Sequence, residues 1–131
     1  MIAVDASAVV AIVLGEVDAE ALLELIIGRP ACIGAPTLLE AAIVVEARQG
    51  PDAARDLQLL VEGAIDQVVD FTSQHTRAAL AAWRRFGKGR HPAALNFGDC
   101  QAYAVADVAA VPLLFVGDDF TRTDIEAAWL G

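Results

Sequence analysis

The sequence predicts an α/β protein of three layers, α/β/α, in which helices cover both faces of a central parallel sheet. Short apolar runs alternate with longer segments of helical periodicity along the whole chain. Strands separated in this way by helices pair in parallel through right-handed crossovers, and both faces of the sheet become buried. The length of 131 residues, of which 56% are hydrophobic, suits one core, so we expect one domain over residues 1–131.

The first half of the chain predicts two strands and four helices. Gly15, Gly28 and Gly50 each follow a segment of helical periodicity, and Pro36 lies near the start of another. Both residue types mark helix ends because glycine suits the residue beyond a helix and proline suits its first turn. The predicted elements are a strand at 2–4, helices at 7–14 and 18–27, a strand at 31–34, and helices at 36–49 and 51–62.

The second half predicts two more strands and two helices. Ser73 can cap a helix that runs to about residue 86, and a loop with the sequence GKGRHPAALN separates this helix from the next. The apolar run VPLLFVG is typical of a buried strand. The predicted elements are a strand at 64–71, a helix at 73–86, a loop at 87–96, a helix from 97 to about 109, and a strand at 111–117.

Acidic residues fall where an open parallel sheet binds ligands, beyond the carboxyl ends of its strands. Asp5 follows the first strand, and Asp118 and Asp119 follow the last. Asp99, in HPAALNFGDCQAYAVA, lies in the first turn of a helix. Asp5 and Asp99 also have a simpler explanation, because carboxylates cap helix N-termini and interact favourably with the helix dipole. Capping and ligand binding therefore both remain open for these two residues.

The sequence around Glu40 is not typical of an ordinary solvent-exposed charge. Its neighbours on the predicted helix are Leu39, Ile43 and Val44, so the pattern places a carboxylate on an apolar face. An unpaired buried charge is costly, and we expect Glu40 to have a partner. The partner is either an arginine of the first half of the chain or a bound cation; the available arginines are Arg29, Arg48 and Arg55.

Crowded carboxylates favour a hard divalent cation. Acids placed together raise one another's pKa, and a metal ion supplies the missing positive charge. Oxygen ligands without histidine or cysteine favour Mg²⁺ or Mn²⁺ over zinc or copper. The two cysteines and two histidines do not occur at zinc-binding spacings; they are Cys32, Cys100, His75 and His91.

The charge distribution contains one basic stretch in an acidic chain. The net charge of −9 argues against general affinity for nucleic acid. Four of the nine basic residues nevertheless occur in AWRRFGKGRHP, with Trp83 and Phe86 between them; they are Arg84, Arg85, Lys88 and Arg90. These cations either contact phosphates or form a solvated helix end favoured by the dipole.

The N-terminus favours a cytoplasmic location. The segment MIAVDASAVVAIVLGEV has no basic start and carries Asp5 within its apolar run, which is not typical of a secretory signal. No stretch reaches the roughly 18 apolar residues that a membrane span needs. We therefore expect a cytoplasmic protein without a membrane partner.

Four segments of the chain resemble the PIN-domain ribonucleases, specifically the VapC-type toxins of bacterial toxin–antitoxin pairs. They are IAVDASA at 2–8, PTLLEAA at 36–42, HPAALNFGDCQAYAVA at 91–106 and LLFVGDDFTRTDI at 113–125. The resemblance implies a Mg²⁺- or Mn²⁺-dependent ribonuclease with Asp5, Glu40 and Asp99 as catalytic, metal-binding acids. Asp118 or Asp119 matches the fourth acid of the family, and of the two we expect Asp119 to bind the metal. Ser7 and Asn96 match supporting polar positions. Gln101 departs from the apolar residue expected there.

The resemblance also implies partners. These are an RNA substrate, a VapB-type antitoxin whose C-terminal segment covers the acidic site, and a second copy of the chain within a larger toxin–antitoxin assembly. The helices at 36–49 and 51–62 offer apolar surface for a homodimer, although core packing explains the same residues.

Three other functions would also use clustered acids on an α/β sheet. A PIN-fold nuclease of RNA processing or DNA cleavage without a toxin role would carry the same acids. A Mg²⁺-binding phospho-acceptor receiver domain needs a lysine beyond a late strand, whereas the only lysine is Lys88. A phosphatase of the haloacid dehalogenase type needs a second aspartate two residues after the first, where this chain has Ser7.

Overall fold

The computed structural model describes residues 1–131 and confirms the three-layer α/β/α class. A four-stranded parallel sheet lies between two layers of helices. The elements are β1 (Ile2–Val4), α1 (Ala6–Val13), α2 (Ala19–Gly28), β2 (Ala31–Gly34), α3 (Ala35–Gln49), α4 (Pro51–Ala64), β3 (Gln67–Val69), α5 (Ser73–Phe86), α6 (Phe97–Ala109) and β4 (Leu113–Leu114). No helix has the length and apolar content that crossing a bilayer requires.

The strand order is β3-β2-β1-β4, and every neighbouring pair is parallel. Ala3 of β1 lies opposite Cys32 of β2 on one side and opposite Leu113 of β4 on the other. The chain moves outward from β1 through β2 to β3 and then crosses back to place β4 on the far side of β1. Such a reversal opens a crevice at the carboxyl ends of the strands beside β1, where ligands of open α/β sheets bind.

The two faces of the sheet have separate cores because side chains alternate along each strand. Ile2 and Val4 face α1, α3 and α4, with α2 packed beyond α1, whereas Ala3 faces α5 and α6. Almost the whole buried face of α6 is made of small or aromatic residues, which lets this helix lie close to the sheet. The position of the α6 N-terminus is thereby fixed over the crevice.

The two outer strands are shorter than predicted. The pattern predicts strands at 64–71 and 111–117, but β3 covers Gln67–Val69 and β4 covers Leu113–Leu114. The C-terminal segment covers part of β4, because Leu113 N–H donates to the Glu126 carbonyl and Ala128 N–H donates to the Leu113 carbonyl, both at 2.9 Å. The predicted cap of α5 is also one residue off: Thr72, and not Ser73, is the N-cap, and its N–H donates to His75 Nδ1 at 3.1 Å.

The end of α5 is bonded to the start of α6. Leu95 N–H donates to the Phe86 carbonyl at 2.9 Å, and Lys88 N–H donates to the Leu95 carbonyl at 3.0 Å. The loop between the two helices therefore leaves and returns at nearly the same point. As a result, the basic stretch lies beside the N-terminus of α6.

Candidate active site

Asp5 lies at the carboxyl end of β1 and caps α1. Its Oδ2 accepts hydrogen bonds from the Ser7 N–H at 3.1 Å and from the Ser7 hydroxyl at 2.7 Å. The side chain is almost fully enclosed, with the residue 7% exposed. Both capping and burial are therefore established for Asp5, and its carboxylate has a fixed orientation in the crevice.

The Ser7 hydroxyl connects two strand ends. It donates to Asp5 at the end of β1 and accepts from the Val116 N–H, just beyond β4, at 2.9 Å. These two bonds join residues 109 positions apart in the chain. Ser7 thus holds the segment that leads to Asp118 and Asp119 against the carboxyl end of β1.

Asp99 lies at the N-terminus of α6 and forms a reciprocal capping pair with Asn96. Its Oδ2 accepts from the Asn96 N–H at 3.0 Å, while its own N–H donates to Asn96 Oδ1 at 2.8 Å. The residue is 9% exposed. Capping is thus a real role of Asp99. It is the Asn96 backbone, and not its amide side chain, that holds the Asp99 carboxylate.

The structure corrects the expected surroundings of Glu40. The buried face of α3 is formed by Thr37, Ala41 and Val45, so Glu40 itself is exposed, as are its apolar neighbours Leu39 (62%) and Ile43 (60%). No arginine pairs with it. The apolar residues around Glu40 therefore belong to the protein surface and not to the core.

Glu40 also lies against the start of α6. The Glu40 carboxylate lies against the backbone of Gly98, so that a Cβ at this position would displace it. Helices α3 and α6 contact each other in this region. The close approach brings Glu40 to the same helix turn that carries Asp99.

The three acids interact electrostatically. Burial, opposed by hydrogen bonds from Ser7, raises the pKa of Asp5 from 3.8 to about 6, with a smaller contribution from the negative charge of Glu40. Burial likewise raises the pKa of Asp99 from 3.8 to about 6, helped by the charges of Asp119 and Asp5. Although Glu40 is exposed as a residue, its carboxylate lies against Gly98 and is partly shielded from water, which raises its pKa, and the charge of Asp99 raises it further. The negative charge of at least one neighbouring acid thus contributes to the raised pKa of each of these three acids.

The two acids after β4 lie in different surroundings. Asp118 and Asp119 are both exposed. Asp118 lines a groove near the C-terminus, together with Asp18 and Trp129. The charge of Asp119, by contrast, contributes to the raised pKa of Asp99. Asp119 is therefore the one that belongs electrostatically with the other acids.

The donor set suits a hard divalent cation in its chemistry. It consists of carboxylate oxygens, and the ion pairs of the structure, Arg48–Glu16 and Arg85–Asp124, involve none of these acids. Buried carboxylates without a counter-charge are unfavourable, and an ion of charge +2 would relieve their repulsion. No three His, Cys, Asp or Glu side chains stand close enough together to hold one ion as they are placed. Metal binding by Asp5, Glu40, Asp99 and Asp119 therefore stays a prediction.

The four basic residues near α6 are all exposed, but they are not equivalent. Arg85 Nη1 lies 3.2 Å from Asp124 Oδ2, and Asp124 also accepts a hydrogen bond from the Tyr103 hydroxyl. That hydrogen bond is the main reason that the pKa of Asp124 is lowered. The guanidinium of Arg90 lies over the Trp83 ring, 4.3 Å from its centroid. No ion pair involves Arg84 or Lys88, so their charges are available to an anion.

An aromatic groove between α5 and α6 was not predicted from the sequence. It has a volume of about 490 Å³ and is lined by Leu80, Trp83, Phe97, Gln101 and their neighbours. Phe97, the first residue of α6, is 82% exposed. The spacing of Phe97 and Gln101 by four residues indicates that they share one side of the helix, but it does not indicate which side.

Comparisons with known proteins agree with this fold. The PIN domain family model matches residues 2–126. The chain is 45% identical over 125 residues to Ribonuclease VapC36 of Mycobacterium tuberculosis, covering 94% of this chain and 90% of that protein. It is 43% identical over 125 residues to Ribonuclease VapC of Mycolicibacterium smegmatis, covering 95% and 97%.

Two solved structures share the architecture. One is the crystal structure of Mycobacterium tuberculosis VapC20, described as a sarcin-ricin loop cleaving toxin, with a TM-score of 0.78 and 18% identity over 95% of this chain and 96% of that one. The other is a toxin–antitoxin complex from Klebsiella pneumoniae, with a TM-score of 0.71 and 15% identity over 95% and 93%. At these identities the two structures support the fold. Together with the family model and the relatives above 40% identity, they lead to one conclusion: the chain belongs to the PIN-domain family and is a relative of the VapC ribonucleases.

Proposed function

We propose that this chain is a Mg²⁺- or Mn²⁺-dependent endoribonuclease and the toxin of a VapBC-type toxin–antitoxin pair. The observation that carries the proposal is the group of carboxylates at the carboxyl ends of the strands, with raised pKa values and no cationic partner. Structural carboxylates are normally paired with a cation, so this arrangement favours a site for an ion. The identity to VapC ribonucleases over more than nine-tenths of the chain supports RNA as the substrate.

Each acid has its own role in the proposed site. Asp5 and Asp99 would hold the ion, because their carboxylates are enclosed and oriented, one by Ser7 and the other by the Asn96 N–H. Glu40, which is exposed, would hold the ion from the solvent side or accept a proton from the attacking water. Asp119 would complete the acidic set. The chemistry that a divalent cation supplies when bound is neutralisation of phosphate charge and activation of water.

The basic stretch would receive the RNA backbone. Arg84, Lys88 and Arg90 lie near the N-terminus of α6, and the α6 N–H groups add partial positive charge there. An anionic substrate approaching a site of carboxylates needs such cations nearby. Arg85 would contribute less, because Asp124 already compensates its charge.

An antitoxin is the proposed regulator. A VapB-type antitoxin would lay its C-terminal segment across the acidic site and place an arginine or lysine among the carboxylates. The uncompensated charge of Asp5, Glu40 and Asp99 supports a cationic occupant. The similar Klebsiella pneumoniae structure, a toxin–antitoxin complex, suggests the same kind of partner.

Self-association and location complete the proposal. Exposed apolar side chains on α3 and α4, namely Leu39, Ile43 and Leu59, support a homodimer through these helices. The chain would act as one nuclease domain over residues 1–131 in the cytoplasm, where RNA substrates and a co-expressed antitoxin are found.

The proposed function is tested by a cleavage assay on purified protein. Single-stranded RNA and DNA of the same sequence are incubated with Mn²⁺, with Mg²⁺ and with a chelator, for wild type and for Asp5→Asn. We expect metal-dependent cleavage of RNA by the wild type and none by the variant. Cleavage of DNA with RNA spared would replace the ribonuclease by a DNA-cleaving PIN nuclease, and cleavage in chelator would exclude the metal-dependent mechanism.

A further inference from the structure

The groove between α5 and α6 lies next to the acidic site. Phe97 follows the capping residue Asn96 directly and precedes Asp99 by two positions on the same helix. A second groove of about 500 Å³ runs on the other side of Phe97 and includes Glu40 and Gly98. Phe97 and Gln101 line both grooves, so the two grooves meet along α6 next to Glu40. Leu39 and Ile43, which support the proposed homodimer, line only the second groove.

The aromatic side chains of this surface are prepared for contact. Trp83 is 38% exposed, and its ring is held in place between the backbone of Gly87, where a Cβ would collide with it, and the guanidinium of Arg90. Phe97 presents most of its ring to solvent. A flat ring of this kind costs little conformational entropy when a second flat group stacks on it.

The chemistry around these rings combines an apolar wall with cations and an amide. Four of the nine basic residues of a chain with net charge −9 occur at positions 84–90, and the guanidinium of one of them, Arg90, lies over the Trp83 ring that lines the groove. Gln101 is half-buried in the groove wall, and its amide carries both a hydrogen-bond donor and an acceptor. A nucleotide unites a flat base, polar base edges and an anionic phosphate, and so matches all three features. Stacking on aromatic rings is the usual way in which proteins bind unpaired bases.

We propose that this groove is a binding subsite for one unstacked base of single-stranded RNA, next to the phosphate that is cleaved. The inference rests on the proposed ribonuclease function. The base stacks on Phe97 beside Trp83, Gln101 reads its polar edge, and the neighbouring phosphate meets Arg84 or Arg90. A groove of about 490 Å³ accommodates a base with its ribose.

The test measures base stacking without cleavage. Short single-stranded RNA carrying 2-aminopurine at one position is titrated with protein in chelator, because stacking quenches the emission of this base. The variants are Phe97→Ala, Phe97→Tyr and Gln101→Leu. The control is Ile27→Ala, which removes exposed apolar surface on α2, away from the groove; Ile27 is 68% exposed. A matching RNA with an abasic position measures the contribution of the base alone.

Wild type, Phe97→Tyr and Ile27→Ala should quench the emission. Phe97→Ala should bind about 5-fold to 100-fold more weakly, as expected for loss of one stacked base, and should bind the abasic RNA like wild type. Gln101→Leu should keep the quenching and lose preference among RNAs that differ at this base. These results would support the subsite.

Three results would overturn it. These are wild-type protein that leaves the emission unchanged, a Phe97→Ala variant that quenches like wild type, and a Phe97→Ala variant whose only change is conversion of a dimer to a monomer in light scattering. The last result would assign the surface to a second copy of the chain. If only the subsite proposal is wrong, wild-type protein still cleaves RNA with metal in the separate cleavage assay, whereas failure of the ribonuclease proposal removes that cleavage, so the two failures are distinguishable.

Discussion

Replacement of Asp99 by Asn separates capping from metal binding. Asn retains an oxygen that can accept the hydrogen bond from the Asn96 N–H, so the capping pair of α6 survives the change. The negative charge is lost. If Asp99 served only as a cap, the variant would behave like the wild type apart from a few tenths to about 1 kcal/mol of dipole interaction.

The raised pKa sets the size and sign of the effect on metal-free protein. A rise from 3.8 to about 6 means that the folded state disfavours the ionised Asp99 by about 3 kcal/mol, as an order of magnitude. Because the folded-state pKa is the higher one, protonation stabilises the fold. This stabilisation is complete below pH 3.8 and is lost as the pH rises through about 6. Asp99→Asn should therefore be as stable as wild type or more stable at pH 7.5, and its stability should depend less on pH between 4 and 7.

Metal binding should change the comparison. An ion present at about 100 times its Kd stabilises the native state by about 2.7 kcal/mol. For a chain of this size that corresponds to a rise in Tm on the order of 10 °C. Melting curves with and without millimolar Mn²⁺ should show this rise for wild type and none for Asp99→Asn, and RNA cleavage should disappear in the variant.

Asp107→Asn is the matched control. Asp107 lies on the same helix, is exposed, and is two turns beyond the acidic site, so its change alters the net charge equally. It should keep both the metal-dependent rise in Tm and the cleavage. A wild type without a metal-dependent rise, or an Asp99→Asn variant that retains it, would refute the metal assignment and leave Asp99 as a helix cap.

Three further changes test other parts of the site. Glu40→Gln should fold normally, because Glu40 is exposed, and should lose most Mn²⁺-dependent cleavage in the same assay; full activity would remove Glu40 from the site. Arg84→Ala should reduce the slope of log affinity for RNA against log salt concentration by about 1. Arg85→Ala should reduce this slope less and should lower the stability of the fold, because it removes the ion pair with Asp124. Equal slopes for the two variants would contradict the assignment of their charges. Ser7→Ala should cost about 1–3 kcal/mol in a denaturant titration, because it leaves the Val116 N–H without its acceptor and leaves Asp5 with only the backbone N–H of residue 7 as a donor. It should also raise the Asp5 pKa further, and a variant as stable as wild type would show that the bridge is unimportant.

Elements with a capping or chain-breaking residue at an end could be predicted closely from the sequence. β2 was predicted at 31–34, and α6 at 97 to about 109, and the structure has Ala31–Gly34 and Phe97–Ala109. Pro and Gly delimit the first, and Asn96 caps the second. The outer strands were predicted too long, because an apolar run does not reveal how many of its residues find a neighbouring strand.

The placement of acids at strand ends could also be predicted, since parallel strands end at one edge of a sheet. The contacts of the Glu40 side chain could not be predicted. Its apolar neighbours suggested a buried helix face, but the residues that α3 buries are Thr37, Ala41 and Val45, offset from Glu40 around the helix. The exposure of Phe97 was equally hidden, because helical periodicity specifies which residues share a face and not whether another element covers it.

The backbone closure between α5 and α6 has a consequence for how the loop can vary. Two hydrogen bonds, from Leu95 N–H to the Phe86 carbonyl and from Lys88 N–H to the Leu95 carbonyl, anchor both ends of the loop before it reaches the helix that carries Asp99. An exposed position between these anchors, such as Pro92, can change without moving the two fixed points, whereas Ala93 is buried in the core and Arg90 lies over the Trp83 ring. A loop with different charges at its exposed positions would alter which anions are attracted while leaving the acidic centre where it is.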